Sequence, residues 1–135
     1  SLTGKSIYFV EDDYLHLDNS IKVLNDGLKH LGLVTTYDHK DRYTRNDDIT
    51  KGQESIVFIE EANRHFRTAE STCCTFGCTR KMWDEIKSDY RNFRLRDRDF
   101  FRHLYSRGIR LRTSLPGVST QVDQNLSPGI DWYYI

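Results

Sequence analysis

The stretch Ser6-Ile7-Tyr8-Phe9-Val10-Glu11-Asp12-Asp13 (SIYFVEDD) decides how this chain is read. Ser6 to Val10 is short, β-rich and mostly apolar, and it reads as a buried strand. It runs straight into three consecutive acids. A buried strand places those carboxylates at the edge of an open α/β sheet, where such folds bind ligands. Like charges this close repel, so they call for a cation or for mixed protonation. A divalent ion such as Mg²⁺ or Mn²⁺, which prefers carboxylate oxygen and water, meets that need. A solvated acidic turn is the competing reading of the same residues.

Working outward, Leu17, Ile21, Leu24, Leu28 and Leu31 follow at alternating spacings of four and three residues, which is one face of an amphipathic helix. Asp18 or Asn19 is its expected cap and Gly32 its stop. Leu33–Tyr37 reads as a second strand. The polar segment Asp38–Gln53 reads as a loop. Ser55–Glu60 is a third strand, with Asn63–Thr68 as its hairpin partner. Helices are expected over Thr79–Tyr90 and Asp97–Ser106, the second with Phe100, Phe101 and Leu104 on one side. A late strand covers Ile109–Leu115 and stops at Pro116-Gly117, and the tail Val118–Ile135 reads as irregular. These elements describe an α/β fold, a mixed sheet with flanking helices, in a single domain spanning residues 1–135.

Composition removes several function classes. A length of 135 residues is that of one domain. Lys plus Arg number 20 and Asp plus Glu number 20, so the net basic field of a nucleic-acid binder is missing. With 37% hydrophobic and 13% aromatic residues, the chain is too core-rich to be disordered. No apolar run has the length of a membrane span, and the opening SLTGKSIYFV has too short an apolar stretch for a signal peptide. The three cysteines, Cys73, Cys74 and Cys78, are odd in number, which points to reduced thiols in a cytoplasm. Their sequence CCTFGC has no CxxC and its nearest histidines are His65 and His103, so buried structural thiols are expected rather than a zinc site.

The opening IYFVEDD, followed by an amphipathic helix and a glycine, resembles the start of a response-regulator receiver. A receiver carries a phosphoacceptor Asp at the end of its third strand, where SIVFIEEAN supplies only Glu60 and Glu61. It also carries a Lys before a late Pro, where this chain reads RTSLPG.

A second resemblance spans nearly the whole chain. The segments IYFVEDDYLH, VTTYDHKDRYT, HFRTAESTCCTF, RDRDFF, and LPGVSTQ with LSPGIDW are similar, in the same order, to GT-A type glycosyltransferases. The branch is that of the small enzymes of large algal viruses and their bacterial relatives. These enzymes hold a nucleotide sugar through a metal bound by a DxD-like motif at a strand end.

The resemblance implies a metal-dependent transfer of a sugar from a UDP- or GDP-linked donor to a hydroxyl of a glycan or other acceptor. Glu11-Asp12-Asp13 then stands for DxD, with Asp13 as the main ligand of Mn²⁺ or Mg²⁺. Asp12 or Glu11 would contact the ribose or a metal-bound water, and Tyr14 and His16 would line the site. Asp38 and His39, with Asp41, Arg42 and Tyr43, would form a loop near a sugar. Arg67 would face the diphosphate across the pocket with Ser71 and Thr72, unless Arg67 pairs across strands with Glu60 or Glu61. The general base would be Asp97 or Asp99, with Asp99 favoured because an N-cap role explains Asp97. The branch should read STH near the PG turn. Here Ser119-Thr120-Gln121 stands in its place, so Gln121, or Asp123 instead of it, would complete the metal shell.

The resemblance further implies that the chain is the C-terminal portion of the fold. The nucleotide-binding half would come from a truncated segment, a partner chain or a homodimer formed through an exposed edge. The reading from a different class is a non-catalytic binding module, either a degenerate transferase or a pseudo-receiver.

Overall fold

Ser6–Phe9 is a strand, as its sequence predicts, but it lies on the rim of a sheet rather than inside one. In the computed structural model, which describes residues 5–94, 96–122 and 126–135, this strand is β1. Its residues are half-buried or exposed, and Val10 just beyond it is 50% exposed. The physical reason is that only one flank is paired, against β6 (Phe76–Thr79), which runs antiparallel with Ile7 opposite Cys78.

The remaining elements are β2 (Tyr14–His16), α1 (Ser20–Leu31), β3 (Leu33–Thr35), β4 (Ile56–Ile59), β5 (Arg64–Ala69), α2 (Arg80–Phe93), α3 (Asp97–Ser106), β7 (Leu111–Leu115) and β8 (Ser119–Gln121). Six strands form a mixed sheet in the order β1-β6-β3-β7-β5-β4. Only the β3–β7 pair in it is parallel. β2 and β8 form a separate antiparallel pair. The chain is therefore an α/β protein with a mixed sheet, and the expected hairpin is present as β4–β5, with Ile56 opposite Arg67 and Ile59 opposite Arg64.

Helices cover both faces because the strands alternate. Leu33 and Val34 are adjacent in β3, are both fully buried, and belong to different cores. Leu33 joins Phe76, Cys78, Ile86, Phe101 and Leu104 beneath α2 and α3. Val34 joins Leu24, Leu28, Ile59 and Phe66 beneath α1. Gly32 ends α1 as expected, with φ 75° in the left-handed region and its N–H on the Leu28 carbonyl. Asn19 occupies the N-cap without a side-chain hydrogen bond. Thr79 caps α2 by accepting from the Met82 amide at 3.1 Å.

Three strands fall outside the sequence reading. β6 sits within the cysteine cluster, and its Gly77 hides the strand pattern. That glycine is needed because a Cβ there would lie 2.7 Å from Leu24 Cδ1 of α1. β2 and β8 are three-residue strands that only their mutual pairing defines, so the tail is not wholly irregular. Among the described residues, no helix is long and apolar enough to cross a membrane.

After β7 the chain turns through a cis Leu115–Pro116 peptide and Gly117. A Cβ on Gly117 would approach the Asp38 amide nitrogen at 2.9 Å and the Thr36 carbonyl at 3.0 Å, both rigid backbone atoms. Gly117→Ala is expected to lower stability by about 1–3 kcal/mol through this overpacking, read as a lower urea midpoint at unchanged slope.

Candidate functional site

Three segments meet beside the parallel β3–β7 pair. The first is the loop after β3, which makes a short 3₁₀ turn at Lys40–Tyr43. The second is the corner between β5 and β6, Glu70 to Thr75. The third is the start of α3. Between them lies a cleft of about 440 Å³. Of the residues that the sequence singles out, His39, Ser71, Thr72, Asp97 and Asp99 all line it.

Charge pairing holds the walls. Glu70 is 4% exposed and takes an ion pair from Arg102 Nε, a second from Arg98 Nε at 3.3 Å and a third from Arg45 at 3.9 Å. Asp47 bridges Arg45 at 2.7 Å and Arg98 at 2.9 Å. The loop, the corner and α3 are thereby tied to one another. Burial raises the Glu70 carboxyl above its ordinary value, and the bond from Arg102 opposes that rise. Glu70 and its arginines are absent from the sequence reading. The available signal was Arg98 and Arg102, four apart and so on one helix face, above a Glu adjoining Ser71.

Asp38 is not on the cleft wall but beneath it, 1% exposed. Its Oδ2 accepts from the Tyr43 hydroxyl at 2.5 Å, and its Oδ1 lies 3.7 Å from Arg42 Nε and 3.9 Å from Arg67 Nη2. Burial raises the Asp38 carboxyl, while Tyr43 and the two guanidiniums pull it back. The Tyr43 phenol is pushed up to about 12, first by burial and then by its bond to Asp38. Arg67 lies outside the cleft lining. It stacks 4.9 Å from the Tyr43 ring centroid and stands opposite Ile56 in the hairpin register, so it braces the loop from below. Arg42, with its side chain 5% exposed, donates Nη2 to the Ser71 carbonyl at 2.8 Å. Thr72 is buried, with its hydroxyl 3.0 Å from that of Thr35.

The acidic trio sits in the exposed turn between β1 and β2 and does not line the cleft. Asp13 and Gln121 are nonetheless brought together, with Gln121 Nε2 donating to Asp13 Oδ2 at 2.8 Å. The β2–β8 register sets this contact by placing Tyr14 opposite Gln121. Asp123 lies outside the described residues. The Glu11 carboxyl is raised by partial burial and by the negative charges of Asp13, Asp97 and Asp12, with the Cys74 thiol opposing the rise.

Tyr14 is buried, and its hydroxyl donates to the Cys73 carbonyl at 3.0 Å. His16 belongs to β2 rather than to a helix start. It is half-buried, with Nε2 2.8 Å from the Tyr8 hydroxyl, and burial lowers its pKa. Among the described residues, no group of three or more His, Cys, Asp or Glu side chains is arranged to hold a metal.

Two expectations about the cleft change. Cys73 and Cys74 are not interior thiols like Cys78. They are half-buried, Cys73 on the cleft wall and Cys74 donating Sγ to Asp97 Oδ1 at 2.9 Å. Asp97 is also not an N-cap, because Arg96 holds that position without a side-chain bond and Asp97 is the first helical residue. The ground for preferring Asp99 therefore falls away. Asp99 is an exposed side chain, 3.9 Å from Arg96.

Compared with known proteins, the chain matches no family model, no curated protein and no solved structure.

Asp38→Asn removes the one carboxylate between the Arg42 and Arg67 guanidiniums. It is expected to cost about 3–5 kcal/mol, the range for breaking a buried pair, in chemical denaturation. Tyr43→Phe, which removes only a hydrogen bond to a charged group, should cost about 1.5–3 kcal/mol in the same measurement.

Proposed function

We propose that the chain is the acceptor-side portion of a metal-dependent glycosyltransferase of the GT-A type. The reaction moves a sugar, with inversion, from a UDP- or GDP-linked donor to a hydroxyl of a glycan or other acceptor. The observation that carries this reading is a half-buried carboxylate, Asp97, on the wall of a cleft lined mainly by polar and charged side chains.

Asp97 fits the general base. It is half-buried in the first turn of α3, on the cleft wall. It takes the proton from the acceptor hydroxyl as that oxygen bonds to the sugar's anomeric carbon. The anomeric carbon–phosphate oxygen bond breaks in the same step, and the nucleoside diphosphate leaves with the electron pair. His39, Ser71 and the walls held by Glu70 orient the polyhydroxylated partner in the cleft.

The donor set near the acidic turn suits a hard cation, because Asp13, Asp12 and the amide oxygen of Gln121 are all oxygen ligands. Asp13 and Asp12 are the residues that would hold Mn²⁺ or Mg²⁺, and Gln121 would join them only on turning its amide, because its Nε2 rather than its oxygen faces Asp13. Such an ion supplies charge neutralisation to the diphosphate.

Sheet order counts against the receiver alternative. β1 and β4 occupy opposite edges, so the acids after β1 and the pair Glu60-Glu61 after β4 do not share a pocket. The open side of β1 is where a preceding half of the fold, a partner chain or a second copy would add strands.

The test is Mn²⁺ calorimetry together with turnover of UDP- and GDP-sugars in the presence of hydroxyl acceptors. Asp13→Ala should weaken Mn²⁺ uptake. Asp97→Asn should lower kcat by about 10²–10⁴-fold, the share of a general base, while donor binding persists. If no Mn²⁺ is taken up with or without donor, and neither substitution changes anything, the transferase reading fails and the binding-module reading takes its place.

A further inference from the structure

We propose that Cys74 is a positioning residue of this cleft, whose thiol fixes the orientation of the Asp97 carboxylate. The inference rests on the reading of Asp97 as general base and goes beyond it by naming what sets that base.

The geometry is specific. Sγ donates to Asp97 Oδ1 at 2.9 Å across 23 residues of sequence, joining the β5–β6 corner to α3. The backbone of Cys74 is held at φ 46°, in the left-handed region that residues with a Cβ seldom adopt. Such strain persists only where the surroundings enforce it. Here the neighbouring residue is pinned from the other side, because the Cys73 carbonyl accepts the Tyr14 hydroxyl of β2 at 3.0 Å. The corner is therefore fixed between the strand that follows the acidic turn and the helix that carries the base.

The cleft wall adds a further restraint on the corner. Arg42, on its wall and with its side chain 5% exposed, faces Asp38 Oδ1 at 3.7 Å and gives Nη2 to the Ser71 carbonyl at 2.8 Å, so the corner that carries Cys74 is also held from the loop side.

A thiol suits the positioning task. It is a small group with one S–H donor, so it restrains the carboxylate at a single oxygen, Oδ1. The groups facing it are negative: Asp97 of α3 and Glu11 of the acidic turn, both of which hold the thiol in its protonated, donating form on top of the effect of burial. A cysteine kept only for packing would resemble Cys78, which is fully buried in the core under α2 and α3.

The experiment uses the full chain with two readouts. In turnover, Cys74→Ala is expected to lower kcat by about tenfold with KM unchanged, within the effect of misplacing a catalytic group. Cys74→Ser, which keeps a donor, should restore most of it. Equal kcat in the wild type and Cys74→Ala overturns the proposal.

The second readout needs no substrate. Alkylation of Cys74 by iodoacetamide at pH 8 is followed by peptide mass spectrometry in the wild type and in Asp97→Asn. Loss of the neighbouring charge should speed it by about threefold, since a roughly tenfold gain in thiolate is partly offset by lower nucleophilicity. An unchanged rate overturns the pairing. Absence of turnover in the wild type with every donor sinks the transferase reading alone, and the alkylation result then decides whether the thiol holds Asp97.

Discussion

The constraint on which the cleft depends is the burial of one carboxylate, Glu70. A charge removed from water must be compensated by partners with good geometry. Glu70 finds them in Arg45 from the loop and in Arg98 and Arg102 from α3. Because the three partners come from two elements far apart in sequence, satisfying that charge also fixes the distance between the loop and the helix. The cleft is the space left over. Asp38 has a parallel role in the layer beneath, where Arg42, Arg67 and Tyr43 converge on it. The site is thus framed by ionic contacts, whereas the sheet beneath it is framed by apolar packing on both faces.

This division explains how the candidate chemistry is supported. α3 is anchored by Phe100, Phe101 and Leu104 in the core, so its first turn is placed rigidly. Asp97 inherits that placement. Glu11 and Asp13 have no such anchor. They are exposed on a turn, and their position depends on the short β2–β8 pair and on the contact with Gln121. Asp97 is preorganised by the fold, while the acidic turn is organised chiefly by local hydrogen bonds.

The elements visible in the sequence are those with strong periodicity. α1 follows its Leu and Ile spacing, α3 matches its expected range, and the β4–β5 hairpin joins the segments expected to pair, Ser55–Glu60 and Asn63–Thr68. β1 was visible as a strand, but its depth was not, because an apolar run looks alike at the centre and at the rim of a sheet. β6 is hidden by Gly77, which interrupts the strand pattern, yet it is an interior strand of the sheet. For the site, His39, Ser71, Thr72, Asp97 and Asp99 were found from motifs and do share a cleft. The roles of Glu70 and Cys74 are not legible, and Arg42 is read only as part of a loop near a sugar, since each depends on a partner more than 20 residues away.

The parallel β3–β7 pair has a consequence for how the chain reaches this state. Thr35 lies beside Thr113, so the centre of the sheet closes only after a long loop has been drawn in. Such non-local pairing slows folding, because chain entropy is lost before the contact compensates for it. The β4–β5 hairpin is the local exception, with Ile59 facing Arg64 across a tight turn. It can form early and offer β5 as a template on which β7 assembles, followed by β3, β6 and finally the rim strand β1. On that route the acidic turn is the last segment of the molecule to gain its neighbours. Ile56 and Phe58 of β4 stay 61% and 50% exposed even in the finished fold, so this edge is open to other chains during synthesis and after it.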